Sequence, residues 1–328
     1  MAKILLTGGA GYIGSHVNLA FAGAGHETVV LDNLSTGFRE LVVAGELIVG
    51  DLLDKSTIDR VLKEGRFDII IHLAAKSLVG ESLENPGLYW RNNIFGTRNL
   101  LDAMLEFGPG KIVFSSTAAV YGEPEKIPIP ESHPLAPINP YGRTKLAIEW
   151  MILDEAKANG IDYSILRYFN AAGADPEKRV GLLIPLDPHL IPVCLDTVFG
   201  KRDKVRVFGD DYPTSDGTCI RDYIHVTDLA TAHLKAAHIL LDGGDSMTLN
   251  LGTGSGFSVR EIIDSVQNET GQKLPVEFVE RRPGDPAILI ADQGNAGNIL
   301  GWQPEYSDLW TVVHTAWEWR KKAESGEQ

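Results

Sequence analysis

The stretch KILLTGGAGYIGSH, residues 3–16, decides the fold. Its first five residues favour a buried strand, and a glycine turn follows at once. Gly8, Gly11 and Gly14 are spaced G-x-x-G-x-x-G and open the next segment, which reads as a helix. Glycine lets the backbone turn tightly and approach a pyrophosphate closely, and a helix N-terminus supplies free N–H groups and a partial positive charge. An acid ends the next strand, Asp32 in VVLDN (29–33). A carboxylate there accepts hydrogen bonds from an adenosine ribose and repels a 2′-phosphate, so the pattern favours NAD over NADP. Asp51, in VGDLLD (49–54), is placed after the third strand to meet the adenine edge.

Outward from that unit the first half alternates strands with helices. KILLT (3–7), ETVVL (27–31), ELIV (46–49), FDIIIH (67–72), KIVFSS (111–116) and YSILRY (163–168) are nearly continuous in apolar residues. Such runs mark parallel strands covered on both faces. Helical period appears at 92–107 and 142–158. The βαβαβ order predicts an α/β fold, a doubly wound parallel (Rossmann) sheet with ligands at the carboxyl ends of its strands. After about residue 170 the rhythm breaks, and 171–225 is rich in Pro, Gly and Asp with little pattern. MTLNLG (247–252) reads as a further strand, 258–271 as a helix capped by Ser258, and 309–324 as an amphipathic helix. The expected organisation is a cofactor domain over 1–170 and a smaller α+β substrate domain over 171–328. The strand near 247–252 returns to the first, and the substrate site lies in the cleft between them.

Composition narrows the partners. The 328 residues carry a net charge of −14, with 44% hydrophobic and 23% charged residues. A nucleic-acid or anionic-membrane partner wants a basic face, which this balance opposes. Cys194 and Cys219 have neither metal-like nor redox-like spacing, so no metal is expected and a reducing compartment is favoured. No apolar run is long enough for a membrane span, and the start lacks the features of a signal peptide. These features predict a cytoplasmic protein.

The second chemical signal is NPYGRTKLAIEW (139–150). Tyr141 and Lys145, four apart, share one helix face. Pro140, with Asn139 as a cap, starts the helix at that pair. A free tyrosine is a poor base at neutral pH. A nearby ammonium and the charge of an oxidised nicotinamide would stabilise its phenolate. VFSSTAAVYG (113–122) sets Ser115, Ser116 and Thr117 at the carboxyl end of a strand, where one hydroxyl could relay a proton.

Together with LDNLSTG, HLAAKSLVGES, RNNIFGT, FSSTAAVYGEP, LRYFNAAGA, FGDDYPTSDGTCIRDYIHVTDLA, NLGTG and RRPGDPA, these motifs run almost end to end. In that order they resemble the extended short-chain dehydrogenase/reductase superfamily and, more closely, its UDP-glucose 4-epimerase family. The resemblance implies reversible C4 epimerisation of UDP-glucose and UDP-galactose through a 4-keto sugar, with transient reduction of tightly bound NAD. It implies Tyr141 as general base and acid, Lys145 as its partner and Thr117 as the bridging hydroxyl. It implies an NAD site of Gly8, Gly11, Tyr12, Ile13, Gly14, Asp32, Asn33, Asp51, Leu52, Ala74, Asn92, Lys145 and Tyr168. A UDP-hexose would be held by Thr117, Tyr141, Asn170, Phe208, Arg221, Arg282 and Asp285. A homodimer is expected, paired through the helices near 92–107 and 142–158.

Three positions depart from the best-known members. Thr117 stands where they have Ser, Leu289 where some have a Tyr at the sugar-pocket wall, and His189 where some have Asn. A smaller wall residue leaves open an N-acetyl group at C2, and hence UDP-N-acetylhexosamines as substrates. A nucleotide-sugar dehydratase or decarboxylase would place acids after the strand-end hydroxyl, where this chain has Ala118 and Ala119. A non-enzymatic NAD sensor would have no need of the Thr–Tyr–Lys trio.

Overall fold

The computed structural model describes residues 1–326 apart from Pro283. Seven parallel strands form one sheet: β1 (Lys3–Thr7), β2 (Glu27–Asp32), β3 (Glu46–Val49), β4 (Ile69–His72), β5 (Lys111–Thr117), β6 (Asp162–Tyr168) and β11 (Met247–Leu251). Their order is β11-β6-β5-β4-β1-β2-β3, so the chain reverses direction across the sheet between β1 and β4. In such sheets ligands bind at the carboxyl ends around the reversal. Every sequence-predicted strand is present, with no end moved by more than two residues.

Alternate side chains face opposite layers, as the two-residue period of a strand requires. Ile4, Leu6, Val30, Ile71 and Val113 pack against α1 (Tyr12–Gly23) and α8 (Val226–Leu241) through Val17, Phe21, Leu229 and Leu240. Leu5, Leu31, Ile70, Ile112, Phe114 and Ile165 pack against α2 (Lys55–Gly65), α5 (Gly96–Phe107) and α6 (Pro140–Asn159). Both faces are therefore dry, which is why the strands read as apolar runs.

Helix ends follow local chemistry. Asn139 accepts the Gly142 N–H at 2.8 Å to cap α6, and Gly160 closes it in the left-handed region at φ +72°. Ser258 and Glu261 form a reciprocal capping box on α9 (Val259–Thr270). The helix expected over 92–107 begins differently. Short turns α3 (Val79–Glu84) and α4 (Pro86–Tyr89) lead into a π-turn, Trp90–Phe95, before α5 starts. The Asn93 side chain anchors this detour. It accepts the Lys76 N–H (2.8 Å) and donates to the Lys76 carbonyl and Thr144 Oγ1 (3.1 Å each). That ties the widened turn to the loop after β4 and to α6, near the strand ends.

The remainder builds a second layer over the same strand ends. The span 171–225, unpatterned in sequence, holds short elements. They are β7 (Asn170–Ala172), α7 (Leu190–Val198), β8 (Val205–Phe208), β9 (Ile220–Arg221) and β10 (Tyr223–His225). Strand β7 pairs with β10, β8 with β13 (Val276–Val279), and β9 lies between β12 (Phe257–Ser258) and β14 (Ile288–Leu289). Helices α7, α9 and α11 (Leu309–Ser325) close a separate core with Ile191, Leu195, Val207, Ile262, Val266 and Val312. The short helix α10 (Gly294–Leu300) packs with α8 on the large sheet instead. No helix among the described residues is long and apolar enough to cross a membrane.

Candidate active site

One cavity of about 1160 Å³ lies over the carboxyl ends of the strands. The glycine turn forms one wall. Gly8 sits at φ +78°, and a Cβ there would come within 2.6 Å of the Ala74 nitrogen. A Cβ on Gly14 would lie 2.1 Å from the Gly8 carbonyl oxygen, whereas one on Gly11 would meet nothing closer than 3.4 Å. Gly8 and Gly14 are thus fixed by the backbone itself, and Gly11 lies open to the cavity. Asp32, almost fully buried at the end of β2, accepts the Ala10 N–H at 3.0 Å and the Leu34 N–H at 2.8 Å. Burial raises its carboxyl above the ordinary value, and those two N–H groups oppose the shift. Each oxygen keeps a further acceptor position. Asp51 accepts from Asn33 Nδ2 at 2.9 Å beside it. The N–H groups of Tyr12 and Ile13, at the start of α1 on the cavity wall, and an acceptor-only carboxylate fit the pyrophosphate and ribose of a dinucleotide.

Thr117 ends β5, and its hydroxyl accepts the Ala119 N–H at 3.1 Å, which starts the 3₁₀ turn Ala118–Val120. Tyr141 and Lys145 lie in the first two turns of α6, both on the cavity wall and both buried. The Tyr141 phenol faces the Thr117 hydroxyl as its polar neighbour on this wall. Lys145 Nζ donates to the Ser115 carbonyl at 2.7 Å and lies 6.0 Å from the centre of the Tyr141 ring. Ser115 and Ser116 are occupied elsewhere. Ser115 Oγ meets His233 Nε2 at 2.8 Å, and Ser116 Oγ donates to Glu149. Of the three strand-end hydroxyls, Thr117 is the one on the cavity wall.

The ammonium is one half of the support expected for the phenolate, and the nicotinamide charge is the other. The ammonium does not by itself lower the Tyr141 pKa. Burial pushes the phenol up to about 12, with the Thr117 hydrogen bond opposing. Burial likewise pushes the Lys145 ammonium down to about 7, with Glu149 opposing. Desolvation outweighs the pairwise attraction at this depth.

The opposite wall carries Asn170, Arg221, Arg282, Asp285 and Leu289. Arg221 is buried, donates to the Ile220 carbonyl at 2.7 Å and is paired with Asp285. Its neighbour across the β9–β14 register is Leu289. The Arg282 guanidinium stacks on the Phe208 ring at 3.8 Å. Phe208 itself is off the cavity wall and supports Arg282 from behind. The wall also includes Tyr12, Ile13, Leu52, Ala74, Asn92 and Tyr168.

Some residues here were not singled out from sequence. The Tyr89 ring meets Tyr141 edge-on, with centres 6.4 Å apart, and Glu149 with Arg167 lies beneath α6. Asp187 accepts both the backbone N–H and Nδ1–H of His189 on the cavity wall. Only the chain's return in space brings these groups together.

Known proteins show the same design. The family model described as the NAD dependent epimerase/dehydratase family matches residues 4–252. The chain is 51% identical to the UDP-glucose 4-epimerase of Halalkalibacterium halodurans over 98% of its length and 97% of the relative's. The crystal structure of a Brucella ovis UDP-glucose 4-epimerase in complex with NAD shares 46% identity and a TM-score of 0.95, covering 97% of this chain and 98% of that one. A Stenotrophomonas maltophila UDP-glucose-4-epimerase with bound NAD and formylated UDP-arabinopyranose shares 38% identity and a TM-score of 0.95, covering 99% and 100%. By sequence, by fold and by the dinucleotide cradle at the head of its sheet, this chain belongs to the NAD dependent epimerase/dehydratase family.

Proposed function

We propose that this chain interconverts UDP-glucose and UDP-galactose by inverting the sugar C4, using NAD that stays bound. The observation that carries this reading is the convergence of three parts on one cavity: the glycine cradle with Asp32, the Thr117–Tyr141–Lys145 group, and Arg221 with Arg282. Halalkalibacterium halodurans, Brucella ovis and Stenotrophomonas maltophila supply relatives of the same name, two of them bearing NAD.

NAD, when bound, supplies reversible hydride transfer at the sugar C4. The chain's own residues do the rest. Tyr141 takes the proton of the 4-hydroxyl through Thr117 and returns it after the sugar has turned its other face. Lys145 and Thr117 hold the phenol in place. Arg221 and Arg282 grip the diphosphate by charge-assisted bonds, which are strong and directional. That grip leaves the hexose free to rotate in a wide cavity. Ala118 and Ala119, rather than acids, follow Thr117, so elimination of water has no acid to drive it. Leu289 on the wall favours a second reading in which UDP-N-acetylhexosamines also enter.

The NAD half takes in residues 1–170 together with α8, the returning strand β11 and α10, which pack on the large sheet, and the UDP-sugar half is built from the rest. Exposed Phe95, Leu105, Trp150 and Leu153 on the π-turn, α5 and α6 support a homodimer through those helices. Two unbonded cysteines support a reducing, cytoplasmic location.

Tyr141→Phe tests the reading. Turnover of UDP-galactose should fall by roughly 10²–10⁴-fold while UDP binding persists. Near-parental turnover would sink the assignment.

A further inference from the structure

Beneath the catalytic helix lies a buried polar row that the reaction does not use directly. Ser116, Arg167 and Asn250 are register partners on the adjacent strands β5, β6 and β11. Glu149, two turns along α6 from Tyr141 and 1% exposed, joins the helix to that row. It accepts from Ser116 Oγ, from Arg167 Nη2 at 2.6 Å and from Arg167 Nε at 3.0 Å. Arg167 Nη1 donates to the Tyr121 hydroxyl at 3.0 Å, and that hydroxyl donates to Asn250 Oδ1 at 2.7 Å. Asn250 Nδ2 in turn donates to the Ile129 carbonyl at 2.8 Å.

The position of this row is informative. The next row along the same strands is Thr117, Tyr168 and Leu251. Thr117 and Tyr168 both line the cavity. Glu149 therefore clasps α6 one residue below the level at which Thr117 meets Tyr141. An apolar contact would let a helix slide on a sheet by small steps. A bidentate ion pair with a third hydrogen bond allows one height and one rotation.

Resting on the epimerase reading above, we propose that Glu149 is a positioning residue. By clasping Ser116 and Arg167 it sets the height of α6 on the sheet, and so the meeting of the Tyr141 phenol with the Thr117 hydroxyl. Its charge also reaches Lys145, one turn away on the same helix. Lys145 is otherwise faced by Tyr141 from α6, by the Ser115 carbonyl and Phe114 ring from β5, and by neutral His72 from β4. Glu149 favours the ammonium there.

The test uses the NAD-loaded full chain with Glu149→Gln and Ser116→Ala. In Glu149→Gln, kcat should fall roughly 10–100-fold, because displacement of a reacting group by about 1 Å costs that much. KM for UDP-galactose should stay within about twofold and NAD content should stay full. Gln also leaves the Arg167 cation unbalanced near Lys145, so the alkaline limb of the kcat–pH profile should move to lower pH. A merely structural role would scale the profile without moving it. In Ser116→Ala one of the clasps is lost, and kcat should fall several-fold at unchanged KM. Parental kcat in Glu149→Gln, or an unmoved pH limb, overturns the inference. Should Glu149→Gln lose its thermal transition and its NAD together, Ser116→Ala decides, and parental kcat there overturns it. Failure of the epimerase reading shows separately, as turnover surviving in Tyr141→Phe.

Discussion

Gly11, Gly14 and Gly23 play different physical parts in the first turn and α1, and alanine separates them. At Gly14 the added Cβ would sit 2.1 Å from the Gly8 oxygen and 2.8 Å from the Gly9 Cα. Both are backbone atoms and neither can rotate away. Ordinary contact begins near 3.4 Å, so helix and turn must part by roughly 1.3 Å. Val17 and Phe21 pin α1 from behind with no exposed surface, so the helix cannot simply retreat. Overpacking of this kind costs about 1–3 kcal/mol. For a chain of this size that lowers Tm by about 1.5–4 °C. The displaced turn should also lose its hold on NAD. At Gly11 the nearest atom is 3.4 Å away and the backbone is extended, at φ −81° and ψ 177°. Alanine fits the empty protein there, and only a ligand approaching the turn would reject it. Tm without nicotinamide should move by no more than about 1 °C, while NAD affinity falls at least about tenfold, the worth of one charge-assisted hydrogen bond. At Gly23 nothing lies within 4 Å, and alanine in the last turn of α1 should be neutral or gain up to about 1 kcal/mol, with NAD unaffected. Thermal unfolding with and without NAD, and the nicotinamide retained on purification, read all three. A Gly14→Ala protein with parental Tm and full NAD would refute the steric reasoning. A Gly11→Ala protein that binds NAD normally would refute the assignment of this turn to the pyrophosphate.

Two further predictions concern the other walls. Burial holds the Lys145 ammonium at about 7 against an ordinary 10.5. Between those values the folded protein carries fewer protons than the unfolded chain, so stability rises with pH across that window. Relative to Lys145→Met, the protein stripped of nicotinamide should gain roughly 2–4 kcal/mol between pH 7 and 10 in urea unfolding, and a flat or falling difference would refute the buried charge. Leu289, beside Arg221 on the sugar wall, is the second target. Leu289→Tyr should lower turnover of UDP-N-acetylgalactosamine relative to UDP-galactose by about tenfold, and an unchanged ratio would remove Leu289 from the wall.

How much was legible in the sequence followed from how local the cause was. The strands of the large sheet could be read because both faces are dry, so each is an apolar run whatever its neighbours are. The glycine turn, Asp32 and the Tyr141–Lys145 spacing carry their chemistry within a few residues. The second layer could not be read in that way. Strand β9 is two residues long and gains its identity from β12 and β14, which come 36 and more residues later. No period exists over such a length. The π-turn at Trp90–Phe95 was equally hidden, because the Asn93 side chain that anchors it reaches a backbone 17 residues earlier. Arg221, Arg282 and Asp285 entered only through resemblance, since an arginine in a loop looks the same whether it meets a phosphate or water.

The electrostatics was legible only in part, for a related reason. Spacing shows that Tyr141 and Lys145 share a helix face, and attraction between them suggests a lowered phenol. Depth decides otherwise, and depth is a property of the whole fold. With both groups buried, each is driven toward its neutral form, to about 12 and about 7. The ammonium that would steady a phenolate is thus itself in need of support. Glu149 gives it, and Arg167, 18 residues away, meets Glu149 in a bidentate pair. The proposed catalytic pair, read as two residues at i and i+4, is therefore part of a longer polar chain through the helix and into the sheet. The same row of side chains that keeps Lys145 charged holds the helix at the height where Tyr141 finds Thr117. Breaking it should disturb geometry and proton affinity together, which is why a pH profile distinguishes it from ordinary packing.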